Sequence, residues 1–174
     1  VGQVTWTSKI GANKQALPAA CTVNIAGEGT FFGTNTILKD LKLSATGVTS
    51  LYADGKPIEV QDGVECTGDL DLYGGSRLTD TTAATVTIRS GNFRNIYGGG
   101  TKALNGDAVI SVSGGTVETI YGGGNGTAGA LTGKTQISVT GGNVTKAIYG
   151  GGSSNALPTT TESRLYQTEM GDTT

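Results

Sequence analysis

Apolar residues along this chain recur in a short phrase rather than in long stripes. Val86-x-Ile88, Ser90-Gly91 and Phe93 lead into Ile96-Tyr97-Gly98-Gly99-Gly100. Ile110-x-Val112, Gly114-Gly115 and Val117 lead into Ile120-Tyr121-Gly122-Gly123-Gly124. Ile137-x-Val139, Gly141-Gly142 and Val144 lead into Ile148-Tyr149-Gly150-Gly151-Gly152. The tyrosines at 97, 121 and 149 lie 24 and 28 residues apart, so a fixed turn alternates with loops of variable length. Alternation with period two, rich in β-branched residues, predicts short strands. No segment carries a sustained helical stripe with caps, so no helix is expected.

The phrase extends backwards. Leu41, Leu43, Val48, Leu51 and Tyr52 match the second copy at a gapless shift of 69 residues. Val64, Cys66, Leu70, Leu72 and Tyr73-Gly74-Gly75 form another copy, and Val23, Ile25, Phe31, Phe32 and Gly33 a fainter one. The aromatic column is then Phe32, Tyr52, Tyr73, Tyr97, Tyr121 and Tyr149. One copy cannot bury an apolar face alone, whereas stacked copies share a core. The expected fold is all-β: a right-handed parallel β-helix, or β-solenoid, of about six coils stacked at the usual inter-strand spacing. A left-handed hexapeptide helix would need a strict six-residue period, which is missing.

A solenoid end exposes strand edge and open core, so caps are expected. Residues 1–20 read as an N-terminal cap with Trp6 as its plug, and 21–152 as the repeats. Residues 153–174 read as a second cap, through Arg164-Leu165-Tyr166 and Met170, or as a further truncated repeat. With no initiator Met and no signal-like apolar region, Val1 reads as a start set by processing or truncation, and the chain as a monomeric module of a longer one.

Composition narrows the function classes. Glycine supplies 30 of 174 residues without a collagen period, and only 15% of residues are charged. The net charge of −2 leaves no basic footprint for nucleic acid, and no apolar run is long enough to span a membrane. His is absent, which removes Ser-His-Asp triads and His-ligated metals. The corner glycines are assigned to backbone angles closed to other residues and to close approach of coils. Asn92, Thr116 and Asn143 are expected to hydrogen-bond up the stack. Ala103-Leu104, Ala130-Leu131 and Ala156-Leu157 are expected to tuck the loops against the barrel. Cys21 and Cys66, two coils apart, read as buried free thiols because that spacing exceeds the reach of a disulfide, with a bridge as the alternative since Cys21 lies in the lead-in sequence.

The tyrosines carry the most distinctive chemistry. If Ile96, Ile120 and Ile148 point inward, Tyr73, Tyr97, Tyr121 and Tyr149 point outward, where rings can stack on sugars or anchor a protein interface. The bland reading, preferred, is that the rings stack on each other beneath the loops. Arg94, Glu118 and Thr145 occupy equivalent outward positions, so Arg94 and Glu118 are expected to pair and join the ligand-binding candidates. Asp69 and Asp71 share a strand face; paired carboxylates can bind metal or act as acid and base, but without a third ligand a solvated face is preferred, and no metal or cofactor is expected. Thr87, Ser111 and Ser138 form a hydroxyl row too short and mixed for ice binding. Gly122-Gly123-Gly124-Asn125-Gly126 resembles the glycine-rich calcium nonapeptide but lacks its ligand Asp.

Gly-Gly-Asn-Val-x-x-x-Ile-Tyr-Gly-Gly-Gly, ending at Gly152, resembles repeats of large secreted, surface-attached proteins of gut Gram-positive bacteria, whose fold looks like the pectin-lyase-type β-helix. The resemblance covers roughly residues 20–152. It implies a secreted or cell-surface location and a repertoire running from adhesins and phage tailspikes to polysaccharide lyases. A lyase implies carboxylates with basic partners, and nothing basic is evident beside Asp69 and Asp71. The expected function is a non-catalytic binding or adhesion module for a host glycan or glycoprotein, such as a mucin or an immunoglobulin. The alternatives are a polysaccharide-degrading enzyme and a structural spacer.

Overall fold

A computed structural model describes residues 3–7, 9–10, 15–16, 21–31, 34–153 and 163–167. Every regular element among them is a strand, and the strands stack in parallel in three columns. The first column runs through Gln3–Thr7, Asn35–Lys39, Ile58–Val60 and Thr81–Ile88. It continues through the opening parts of Leu104–Tyr121 and Thr135–Tyr149 to Ser163–Gln167. The second holds 22–26, 42–46 and Glu65–Thr67, then 92–93, 116–117 and 143–144. The third holds 28–31, 49–52, Leu70–Tyr73, 95–97, 119–121 and 147–149. Passing once through the three columns makes one coil. The chain is a parallel β-solenoid of about five turns, and its six aromatic-column rungs follow one another in steps of 21, 21, 24, 24 and 28 residues.

Alternation sends every second residue into the interior. Ile58, Val60, Val86, Ile88, Ile110 and Val112 line the first column at 1% exposure or less, and Leu51, Leu72, Ile96 and Ile120 line the third with none. Each such side chain contributes about 1.5–3 kcal/mol on burial. The Ala-Leu loops add a satellite: Leu104 and Leu131 form a parallel bridge and pack with Ala84 and Ala108, as expected of loops tucked against the barrel. Ala156-Leu157 lies outside the described residues.

The early coils differ from the sequence reading in phase. Leu41-x-Leu43 and Val64-x-Cys66 are not the first-column strands: Thr36 and Leu38 pair with Ile58 and Val60, which pair with Val86 and Ile88. Leu43 and Cys66 pair with each other one column on. These coils break into three short strands, so an apolar-x-apolar phrase occurs on two columns and a gapless shift finds the wrong one. Val48, aligned with buried Val117, is 51% exposed. Phe31, not Phe32, is the residue that pairs with Tyr52.

Gln3–Thr7 and Ser163–Gln167 each add a parallel rung, and Lys9–Ile10 pairs antiparallel with Gln15–Ala16. The side chain of Trp6, and Met170 altogether, lie outside what is described. Asn92, Thr116 and Asn143 do stand in register, but Asn92 and Asn143 are exposed. Among the described residues no side-chain hydrogen bond links the three, because water competes for these outer positions. Cys21 and Cys66 are both free; Cys66 is buried, as expected, whereas Cys21 is exposed at the mouth of the lead-in strand.

Candidate functional site

The aromatic column determines what the surface can offer. Parallel in-register pairing places Tyr52, Tyr73, Tyr97, Tyr121 and Tyr149 on successive rungs. Their rings stack face to face with centroids 4.4, 4.4, 4.8 and 5.2 Å apart. Tyr52, Tyr73 and Tyr97 are buried, Tyr121 is partly buried, and only Tyr149 is exposed, at 51%. The tyrosines do face away from the core isoleucines, yet they form an internal stack beneath the loops rather than an open aromatic ladder.

The loops fasten the phenol edges. Asn125 Nδ2 donates to the Tyr73 hydroxyl at 3.0 Å, and Ser153 Oγ donates to Asn125 Oδ1 at 2.8 Å. A further hydrogen bond joins Ser153 to Tyr97. Burial raises the Tyr73 phenol well above its ordinary range; the Asn125 hydrogen bond offsets part of that, and Tyr97, Tyr52 and Asp71 push it further up. Burial likewise raises Tyr97, with the Ser153 hydrogen bond opposing. Both phenols therefore stay neutral in any ordinary buffer.

Next to the stack lies an ion pair on adjacent rungs. Asp71 is buried beside Tyr73 on the strand Leu70–Tyr73, and Arg94 reaches it from the strand Asn92–Tyr97 one coil on. Arg94 Nε donates to Asp71 Oδ1 at 2.9 Å, Nη2 donates to Oδ2, and Asn95 Nδ2 donates to Oδ1 at 3.0 Å. The bidentate bond to Asp71 holds the guanidinium pKa above its usual value, against the cost of burial and with help from Asp69 through space. The partner of Arg94 is thus Asp71, not Glu118. Glu118 instead accepts from Lys146 Nζ at 2.6 Å on the exposed side of the next coil. A register shift there sets Thr145 and Lys146 opposite Glu118, which the simple equivalence with Thr145 overlooked.

A groove of about 320 Å³ opens over this pair, lined by Val48, Ser50, Tyr52, Asp71, Tyr73, Arg77, Arg94, Thr101 and Asn125. Of the sequence candidates it gathers Tyr73, Arg94 and Asp71. Tyr97, Tyr121, Tyr149, Glu118 and Asp69 lie outside its lining. Sequence reasoning missed Arg77, Thr101 and Ser50, and placed nothing basic beside Asp71. The missed signal was available: Arg94 follows Asp71 by 23 residues, close to one coil, and their charges are opposite. Both carboxylate oxygens of Asp71 are engaged, and exposed Asp69 sits apart from the groove, so the two do not form an open carboxylate pair. Among the described residues no group of three Cys, Asp or Glu is arranged to hold a metal ion, and no helix is long and apolar enough to cross a membrane. No family model, curated protein or solved structure matches the chain.

Proposed function

We propose that this chain is a non-catalytic binding module of a secreted or cell-surface bacterial protein, and that it recognises a glycan or glycoprotein of a host. The observation that carries the reading is the groove: a polar hollow on a rigid stack of rungs, with Arg94 held in place by a buried carboxylate whose oxygens are already engaged. Such an arrangement favours holding a ligand over moving a proton, because no free acid–base group lies at its centre. The resemblance of the Tyr-Gly-Gly-Gly corners to bacterial surface repeats supports the location. The test is an array of glycans and of mucin and serum glycoproteins probed with the folded module. Selective capture that the free glycan competes away is the expected result; a folded module that captures nothing contradicts the reading.

A second reading, a spacer, draws on the fate of the tyrosines, since the most distinctive residues of the repeat are spent on internal stacking. Stiffness without affinity on the same array would favour it.

A further inference from the structure

We propose that the groove over Arg94 is a subsite for a sugar carrying a carboxylate, an inference that rests on the glycan-binding reading above. Asp71 takes the Nε edge and one Nη2 hydrogen of Arg94, and Asn95 steadies the carboxylate. A guanidinium is a planar fork of N–H donors that matches carboxylate geometry bidentately. Its Nη1 group has no hydrogen-bond partner among the described residues, while 31% of the side chain remains exposed. The donor is therefore oriented before any ligand arrives, which removes the ordering cost that a free arginine would incur. Arg77, on the loop after Gly75, brings a second guanidinium to the same hollow.

The choice of an acidic over a neutral sugar follows from the stack. Both faces of Tyr73 and one face of Tyr52 are engaged by neighbouring rings at 4.4 Å, and the two residues are only 2% and 4% exposed, so the groove offers no open aromatic platform for a neutral pyranose. Affinity then has to come from charge-assisted hydrogen bonds, with the Thr101 hydroxyl in the lining beside them. The groove lining holds two guanidinium groups against one carboxylate; Asp69 acts on Arg94 from outside that lining. A volume of about 320 Å³ lies at the small end of ligand pockets, suiting one or two sugar rings.

The test is calorimetric titration of the folded chain with sialyllactose, with glucuronic acid and with lactose, in the wild type, Arg77→Gln and the double variant Asp71→Asn/Arg94→Gln. The double variant removes both charges of the pair together, so no lone buried carboxylate is left. At least one acidic sugar should bind, and the two acidic arms tell a sialic from a uronic source. Lactose should bind roughly tenfold more weakly or not at all, Arg77→Gln should lose roughly tenfold, and the double variant should lose binding, in line with charge-assisted hydrogen bonds. Equal binding of lactose and the acidic sugars overturns the proposal, as does wild-type affinity in either folded variant. If the double variant does not fold, Arg77→Gln decides alone. Binding of neutral glycans only, on the glycan array, overturns this subsite and leaves the module reading standing. Binding of no glycan overturns both.

Discussion

At the scale of single residues, glycine serves two separate purposes. Gly115 and Gly142 turn the chain at φ of 78°, a region that other residues enter at a cost. Gly99 does not; a Cβ there would stand 2.8 Å from the backbone nitrogen of Gly124 on the next rung. Gly99→Ala should therefore force rungs apart and cost about 2–3 kcal/mol. Gly126→Ala meets open space and only a strained φ of 80°, so about 1 kcal/mol is expected. Denaturant midpoints of the two variants would rank them, and equal losses would contradict the close packing of corners. The glycine-rich corners and both of their causes were plain in the sequence, but which glycine answers to which cause was not, because a contact between rungs 25 residues apart leaves no local mark.

Titration belongs to this scale as well. Burial pushes the Cys66 thiol up to about 11 from an ordinary value of 9.0, against a backbone hydrogen bond from Asn92. Below pH 9 both folded and unfolded thiols are protonated and the stabilisation is whole. As pH rises from 9 towards 11 the unfolded thiol ionises first, so stability falls, by about 3 kcal/mol once the window is crossed. Neutral, buried Tyr73 acts in the same direction at higher pH. Melting temperatures across alkaline buffers should decline, less steeply for Cys66→Val; a flat profile would contradict the burial.

At the scale of elements, the tyrosine stack is the seam along the third column. Tyr97 lies between two rings and is 5% exposed, whereas among the described residues Tyr149 stacks on Tyr121 alone and is half exposed. Tyr97→Ala should cost about 3–4 kcal/mol, the range for a buried aromatic, and Tyr149→Ala under about 1 kcal/mol. Thermal unfolding separates the cases, and similar small losses would mean the rings are surface ornaments. The three later copies were legible because each holds one long unbroken phrase. The earlier ones misled, since Thr36 breaks the apolar pattern on the first column while Leu41 and Leu43 supply a convincing substitute next door. The internal stacking was foreseen; the groove was not, although Arg77, Thr101 and Asn125 each stand four residues after a column tyrosine, because their unlike side chains give that position no common signature and Ser50 joins them from an earlier rung.

At the scale of the molecule, every functional argument depends on register. One rung displaced by one residue would turn the tyrosines inward and separate Asp71 from Arg94. In the native register Gly98 N–H bonds to the carbonyl of Tyr121 and Gly122 N–H to that of Tyr149, both at 2.8 Å. Scalar couplings across those two hydrogen bonds, read by nuclear magnetic resonance on labelled protein, test this most directly. Couplings linking Gly98 to Tyr121 and Gly122 to Tyr149 are the predicted result. Couplings to a residue one position away, or none with both amides exchanging freely, would contradict it.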